Sequence, residues 1–325
     1  MMIENLTVLN YKSAKEVQIT CKKLNIFIGK PNTGKSNILE ALGLFTLFNN
    51  ECRITELARF ETMHNLFYDN NIEDPIHIRT DKHRMKIQFK ENFEVDIETR
   101  TGTTVKSFDL YYDANGKLLN SNPHYSSPVN LYKFRPENIF TSKNTAHLKP
   151  PFGDNLVLML MKNHDLRKRA AEVFKKFGYK FVVNPLESSI QIQKEDEGIV
   201  IAHPYTMSSV MLQRFVFHLA AIETNKNATI IFEEPESYAT TEYTKEIATR
   251  IANDETNQYF ISSHNPNFLV SVLSNVPRED VKIYYSLYKD YQTQTHALVD
   301  GDYDKILSRN MDVMEYFDKK FGEGI

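Results

Sequence analysis

The chain has 325 residues, of which 41% are hydrophobic and 25% are charged, a balance that is ordinary for a folded globular protein. Its net charge of −3 provides no general attraction to nucleic acid, so binding of that kind would need a local basic patch. Cys21 and Cys52 do not form a Cys-x-x-Cys pair, so neither a disulfide framework nor a zinc site is indicated. No stretch approaches about 18 apolar residues and the N-terminus has no apolar signal segment, so we expect a cytoplasmic protein without membrane contact.

The first half of the chain contains predicted strands around one predicted helix. Apolar and polar residues alternate at 2–9 and 17–20, and residues 24–28 have strand composition. A helix is predicted from 37 to about 47, with mixed helix and loop over 53–71. Further strands are predicted at 85–89, 93–97 and 107–112, after which Asn115-Gly116 marks a hairpin turn.

In the second half, strands and helices alternate in a regular order. Residues 120–151 are predicted to be irregular and 154–177 helical, and strands are predicted at 180–183, 190–193 and 198–202. From a helix that begins near 208, the order becomes strand, helix, strand, helix, strand, over 229–232, 240–251, 258–261, 267–273 and 281–287. This alternation predicts a parallel sheet with crossover helices.

Residues 29–36 read Gly-Lys-Pro-Asn-Thr-Gly-Lys-Ser, which matches the P-loop pattern G-x-x-x-x-G-K-[ST] between a predicted strand and a predicted helix. The glycines allow backbone N–H groups and the helix N-terminus to point at a phosphate. Lys35 is expected to reach the β- and γ-phosphates of ATP, and Ser36 to offer its hydroxyl to Mg²⁺. The alternative is a glycine turn before a helix. The candidate nucleotide-binding residues here are Gly29, Lys30, Pro31, Asn32, Thr33, Gly34, Lys35, Ser36 and Asn37.

Paired carboxylates follow the apolar strand at 229–232. ATP hydrolysis needs an acidic group in the Mg²⁺ shell and a group that orients water. We expect Glu233, at the strand end, to approach Mg²⁺ and Glu234 to lie nearer the attacking water. The alternative is a buried strand that ends in solvated acids.

His264 follows the next predicted strand, in the segment Ser262-Ser263-His264-Asn265-Pro266. Because the carboxyl ends of parallel strands share one edge with the P-loop, this histidine can face the γ-phosphate. An isolated histidine would more often be structural, but its position at a strand end favours a γ-phosphate sensor.

Several of these segments occur in the same order as in ABC-type AAA ATPases: Asn10-Tyr11-Lys12-Ser13, the P-loop with residues 37–42, Glu233-Glu234-Pro235-Glu236, and Ser263-His264-Asn265-Pro266. The chain resembles the RecF/SMC-like group, which includes the ATPase part of OLD (overcoming lysogenization defect) proteins. Pro151-Phe152-Gly153-Asp154-Asn155-Leu156 also resembles the Gly-x-Asn-Leu element of that family. The similarity spans nearly the whole chain and is weakest over residues 50–150.

The resemblance implies an α/β P-loop NTPase of ABC-ATPase-like fold, with a mostly parallel sheet, an antiparallel β subdomain and a helical insertion lobe. We expect a single ATPase head over 1–325, with a core lobe at about 1–115 and 200–325 and an insertion lobe at about 116–199. Long coiled-coil arms are not expected, because no heptads separate the P-loop from Ser208.

Members of this family form head-to-tail homodimers on ATP, and each P-loop faces a signature segment of the partner. The matching stretch begins Met207-Ser208-Ser209-Val210, where Ser208 and Ser209 retain hydroxyls before a helix N-terminus. Val210 stands where the family has glycine, and a side chain there opposes close approach of backbone to phosphate. Turnover is therefore expected to be slow or to depend on a partner.

Two other features have ordinary interpretations. Asp300-Gly301-Asp302 is similar to the metal-binding acids of a Toprim nuclease, but only 23 residues follow Asp302, whereas that domain needs about a hundred. We expect an Asp-Gly turn before a short helix. A basic cluster, composed of Arg167, Lys168, Arg169, Lys175 and Lys176, is interpreted as a solvated helix face, with a DNA- or RNA-contacting patch as the alternative.

Two hypotheses for the function remain. The first is an ATPase, with ATP and Mg²⁺ as ligands, whose ATP-driven homodimerisation gates a separately encoded effector in phage defence or DNA repair. The second is a nucleotide-switched scaffold with negligible turnover. A nucleic-acid partner stays open. An intrinsic nuclease is less favoured, because no metal-ligand set is visible outside the ATP site.

Overall fold

The structure is a computed structural model, and it describes residues 2–49, 52–101, 103–121, 127–144, 146–308 and 312–322. The chain divides into two compact units. Unit 1 comprises Met1–Leu131, Asn227–Glu234 and Thr256–Ile325, and unit 2 comprises Tyr132–Lys226 and Pro235–Glu255. The core and insertion lobes at about 1–115, 200–325 and 116–199 stay predictions. Within the predicted irregular stretch 120–151, residues 122–126 and 145 lie outside the described residues.

The strands alternate with helices as the second half of the sequence indicates. In chain order the strands are β1 (Asn5–Tyr11), β2 (Ala14–Thr20), β3 (Leu24–Ile28), β4 (Ile76–Thr80), β5 (His83–Phe89), β6 (Phe93–Thr101), β7 (Thr104–Tyr112), β8 (Leu118–Ser121), β9 (Val129–Tyr132), β10 (Lys180–Asn184), β11 (Ser189–Asp196), β12 (Ile199–Pro204), β13 (Thr229–Glu233), β14 (Gln258–Ser262), β15 (Val281–Lys289) and β16 (Gln292–Ala297). The helices are α1 (Lys35–Gly43), α2 (Ile54–Leu57), α3 (Leu156–Lys162), α4 (His164–Lys175), α5 (Val210–Thr224), α6 (Thr241–Asn253), α7 (Pro266–Leu273), α8 (Asp300–Ser308) and α9 (Val313–Phe321).

The predicted parallel sheet is present, in the order β16-β15-β3-β14-β13-β9. Strand β3 pairs in parallel with β15 and β14, and β14 pairs in parallel with β13, while β16 is an antiparallel edge strand. Every residue of β3 and β14 is buried, as is β13 up to Glu233. Their largely apolar sequences fit strands that are covered on both faces.

A second sheet in unit 1 is antiparallel, in the order β2-β1-β4-β5-β6-β7-β8. The predicted Asn-Gly hairpin joins β7 to β8, and Gly116 takes the left-handed conformation with φ +77° that such a turn requires. Helix α1 packs against β1 and β2 on one side and against β13 and β14 on the other. Its Ile38, Leu39 and Leu42 are fully buried, so α1 fills the core between the two sheets.

Unit 2 contains a small antiparallel sheet, β10-β11-β12, and helices α3, α4, α5 and α6. The single helix predicted at 154–177 is wrong, because two helices meet at Asn163. Asn163 has an extended ψ of 105°, and its side chain accepts a hydrogen bond from the backbone N–H of Leu166 at 3.0 Å. An asparagine cap of this kind begins a new helix.

Several boundaries differ from the sequence prediction. The stretch predicted as irregular contains β9, and the helix predicted at 37–47 begins at Lys35 and changes at Leu44 to a 3-10 helix over Leu44–Asn49. Strand β16 was not predicted, because its sequence Gln-Thr-Gln-Thr-His-Ala has no alternation of apolar and polar residues. Within the ranges that the structure describes, no helix combines the length and apolar character needed to cross a membrane.

Candidate functional site

The register of the parallel sheet aligns three strand ends. Glu233 at the end of β13 lies opposite Ser262 on β14, and Ser262 lies opposite Phe27 on β3. Backbone hydrogen bonds continue this alignment beyond the strands, since Glu234 N–H donates to Ser262 and Ser263 N–H donates to Phe27, both at 3.0 Å. The residues that follow these ends, which include the P-loop after β3, therefore lie along one edge of the sheet.

The two P-loop glycines occupy positions that no other residue fits. Gly29 has φ +146° and Gly34 has φ +87°, both in the region that favours glycine. A Cβ atom at Gly29 would lie 2.2 Å from the carbonyl oxygen of Ser286, and one at Gly34 would lie 1.8 Å from Thr293 Oγ1. The glycines thus permit both the turn of the loop and its close packing on β15 and β16.

The Lys35 ammonium lies inside the loop. It donates hydrogen bonds to the carbonyl oxygens of Gly29 at 2.8 Å and Lys30 at 2.6 Å. Burial lowers the pKa of Lys35, and the negative charge of Glu234 opposes that shift. The Lys35 ammonium in the loop and the Glu234 carboxylate after β13 therefore attract each other.

The remaining P-loop residues are placed as follows. Pro31 and Asn32 are exposed, and Asn32 has φ +63°. Thr33 is buried and its hydroxyl donates to the Lys30 carbonyl at 2.9 Å. Ser36 lies in the first turn of α1 and is half-buried.

Asn37 connects the P-loop helix to the loop before β2. Its side-chain amide donates to Ser13 Oγ at 2.7 Å, and that hydroxyl lies 2.6 Å from Thr293 Oγ1. Ser13 belongs to the motif segment 10–13, but Thr293 lies on the unpredicted strand β16. Nothing in the local sequence pattern indicated that Thr293 packs against the P-loop.

Glu234 and His264 are hydrogen-bonded to each other at the sheet edge, with 2.9 Å between Glu234 Oε1 and His264 Nδ1. Because an ionised carboxylate only accepts, the proton of this bond belongs to Nδ1. Glu234 has φ +44°, and the two side chains are 39% and 59% exposed, so both are accessible from solvent. Asn265 and Pro266 begin α7 directly afterwards, and Asn265 accepts from the N–H of Asn267 at 2.9 Å.

Glu233 places one buried carboxylate oxygen, Oε1, at the end of β13. Among the described residues there is no group of three or more His, Cys, Asp or Glu side chains that could hold a metal by themselves. Mg²⁺ commonly uses one or two protein oxygens together with substrate phosphates and water. Glu233 and the Ser36 hydroxyl are oxygen donors of that kind.

An ionic cluster surrounds the buried Glu40 of α1 and is formed by Glu40, Lys12, Tyr11 and the exposed Arg59. Glu40 is fully buried and accepts from Lys12 Nζ and, at 2.9 Å, from Arg59 Nε. Burial raises the pKa of the Tyr11 hydroxyl, and Glu40 raises it further. The negative charge of Glu233 acts on Tyr11, Lys12 and Arg59, so the cluster is electrostatically connected to the end of β13. Sequence reasoning noted Tyr11 and Lys12 but not this role.

The signature-like residues lie in unit 2. The Ser208 hydroxyl is buried and donates to the Tyr205 carbonyl at 2.7 Å, whereas Ser209 is exposed before α5. Val210 is the first residue of α5 and is 43% exposed. Gln213 donates to the carbonyl of Ser208 at 2.9 Å and so orders the turn.

The acidic segment at 300–302 belongs to helix α8. The expected turn before a helix is wrong, because the helix begins at Asp300. Asp302 is 2% exposed, accepts from the Val299 N–H at 3.0 Å and pairs with Lys320. This carboxylate caps α8 and holds α9.

The basic cluster on α4 is partly engaged by acids within unit 2. Arg169 pairs with Glu246 and Lys176 pairs with Glu242, and both acids lie on α6. Arg167 donates to the carbonyls of Leu160 and Met161 at 3.2 and 3.1 Å. These pairs reduce the positive charge that α4 presents to solvent.

Comparisons with known proteins concern the family and the fold. Residues 1–196 match the family model described as an AAA ATPase domain. The chain is similar to an SMC head bound to the C-winged helix domain of ScpA, with 13% identity, 94% of this chain and 100% of that chain covered, and a TM-score of 0.53. It is also similar to an SMC head domain from Pyrococcus furiosus with an extended coiled coil bound to the C-terminal domain of ScpA, with 13% identity, 94% and 98% covered, and a TM-score of 0.51. A search of the curated proteins found no match. Identities this low concern the fold alone, and they confirm the predicted ABC-ATPase-like P-loop fold.

The enclosed ammonium of Lys35 leads to a direct prediction. Lys35→Ala removes the enclosed cation that would neutralise the β- and γ-phosphates, so ATP binding should be abolished. Calorimetry or a fluorescent ATP analogue measures this, with Lys22→Ala, an exposed lysine of unit 1, as the control. Unchanged affinity in Lys35→Ala would show that the P-loop assignment is wrong.

Proposed function

The chain belongs to the AAA ATPase domain family, and from this premise we propose that it is an ATPase whose ATP-dependent dimerisation gates a separately encoded effector. Family and fold support an ATP-binding ATPase of ABC/SMC-like type. The observation that carries the catalytic part of the proposal is the alignment of Lys35, Glu234 and His264 with three neighbouring strand ends.

The proposal assigns nucleotide binding to residues 29–37. The backbone N–H groups of the loop and the N-terminus of α1 face the phosphates, and Lys35 exchanges its carbonyl partners for phosphate oxygens. Ser36 and Glu233 would hold Mg²⁺, since the Ser36 hydroxyl lies in the first turn of α1 and the Glu233 carboxylate lies at the end of β13. When bound, Mg²⁺ neutralises part of the phosphate charge.

Glu234 and His264 would carry the chemistry. The Glu234 carboxylate orients and polarises the attacking water, and His264 donates a hydrogen bond to the γ-phosphate. In the structure these side chains bind each other at 2.9 Å. Binding of ATP would therefore open this hydrogen bond, which makes the pair responsive to the γ-phosphate.

Glu234→Gln tests this assignment. The amide keeps the shape of the side chain but removes the charge that polarises water, so ATP should still bind while hydrolysis falls by about 10²-fold or more. The trapped ATP state should dimerise, and light scattering would measure the increase in mass.

Glu236→Gln is the comparison variant, because it removes a buried carboxylate two residues further along the same segment. Wild-type turnover in Glu234→Gln together with its loss in Glu236→Gln would move the catalytic base to Glu236.

The nature of the partner follows from the resemblance to OLD proteins. Because ATP would change this ATPase from monomer to dimer, it could control an effector that is a separate chain and acts in phage defence or DNA repair. The acids that engage Arg169 and Lys176 argue against α4 as the main nucleic-acid surface. Genetic neighbourhood and co-purification would identify the effector.

A second candidate function is a nucleotide-switched scaffold with negligible turnover. The observation that favours it is Val210, whose exposed β-branched side chain occupies the first position of α5. A side chain there would separate the helix N-terminus from a partner's γ-phosphate.

Val210→Gly distinguishes the two candidates. If the segment that contains Ser208 and Ser209 binds the partner's nucleotide, the glycine should tighten ATP-dependent dimerisation and raise the basal ATPase rate, at a cost of up to about 1 kcal/mol in stability. The monomer–dimer equilibrium is measured with a non-hydrolysable ATP analogue. Val210→Ile, which keeps a β-branched side chain, should behave as wild type. Identical equilibria and rates in the glycine form would favour the scaffold.

A further inference from the structure

Helix α9 places a carboxylate against the P-loop. Asp318 Oδ2 lies 2.5 Å from the Nζ atom of Lys30, the second residue of the loop. The other oxygen, Oδ1, accepts the hydroxyl hydrogen of Tyr285. Tyr285 lies on β15 opposite Ile28, the last residue before Gly29. Asp318 therefore contacts Lys30 within the loop and Tyr285 beside the strand that precedes the loop.

The position of Asp318 is set by aromatic packing. Phe317 is fully buried and lies 5.6 Å from the Tyr285 ring, and Phe321 stacks on Tyr285 and on His296. Lys320 pairs with Asp302 on α8. Asp318 itself is 13% exposed, so its charge is held in place and is only partly screened by water.

Lys30 has the opposite character. Its side chain is 56% exposed, and its backbone carbonyl accepts a hydrogen bond from Lys35 at 2.6 Å. The loop therefore offers two ammonium groups, of which one is enclosed and the other is paired with a fixed carboxylate. An exposed lysine side chain can reorient toward another anion, whereas Asp318 is held by the hydrogen bond from Tyr285.

We infer that Asp318 is a positioning residue for Lys30 and that nucleotide phosphates compete with Asp318 for the Lys30 ammonium. This inference rests on the proposed function of the P-loop. In the nucleotide-free protein Lys30 pairs with Asp318. In the bound protein it pairs with a phosphate, and the Asp318 charge then opposes the phosphate charge. Helix α9 thereby weakens nucleotide affinity through one carboxylate.

The test is the Kd of the full-length protein for a fluorescent, non-hydrolysable ATP analogue with Mg²⁺ at low salt. Asp318→Asn removes the competing charge, and the affinity should increase by about 3- to 10-fold, the size expected for one partly screened charge. Glu315→Gln removes one negative charge from the same helix, where it pairs with the exposed Lys319, and should leave the Kd unchanged.

The same substitution in a Lys30→Met background separates exchange from simple repulsion. There Asp318→Asn should give a smaller increase, since no ion pair remains to be broken. An equal increase in both backgrounds would show that Lys30 does not exchange, and unchanged or weaker binding in Asp318→Asn alone would also overturn the inference. If Asp318→Asn does not fold, Lys30→Met alone should weaken binding, and an unchanged Kd would be decisive against exchange.

Failure of this inference is distinguishable from failure of the proposed function. A wild-type protein that does not bind the analogue refutes the nucleotide site itself. Binding that is lost in Lys35→Ala but is not increased in Asp318→Asn refutes only the role of Asp318.

Discussion

The structure of the candidate site depends on the register between β3, β14 and β13. These strands have few polar residues and are buried on both faces, so a slip by one residue would turn apolar side chains away from their neighbours. The pairing of Phe27 with Ser262 and of Ser262 with Glu233 therefore fixes which residues leave the sheet together. Residues from several loops form the site, and the packing of the buried strands fixes the positions of these residues relative to one another.

Charge is the second organising feature. Lys35 is enclosed by loop carbonyls, and Glu40 on the same helix is buried against Lys12 and Arg59. Removing Lys12, whose side chain is 12% exposed, is costly, because the buried Glu40 carboxylate then loses part of its compensation. Helix α1 thus carries the Lys35 cation in its first turn and the compensated Glu40 anion in its second turn.

The sequence predicted those parts of the site whose signals are local. Each of these signals follows an apolar strand in the sequence: the P-loop, the acids after β13, and His264. The strand pattern therefore also indicated where each site residue lies in the fold. Asp318 could not be predicted, because it reaches Lys30 through the packing of a distant helix, and Thr293 belongs to a polar strand without periodicity. The break between α3 and α4 was missed, since the cap made by Asn163 interrupts an otherwise continuous apolar pattern.

A crystal structure with a non-hydrolysable ATP analogue and Mg²⁺ would test whether one edge of the sheet forms a single nucleotide site. In that crystal structure we expect the Lys35 ammonium to leave the carbonyls of Gly29 and Lys30 and to contact phosphate oxygens at about 2.8 Å. We also expect the hydrogen bond between Glu234 and His264 to be open, with both side chains facing the γ-phosphate. Phosphates bound elsewhere, or a Glu234–His264 bond that persists beside bound nucleotide, would contradict a single site at this edge.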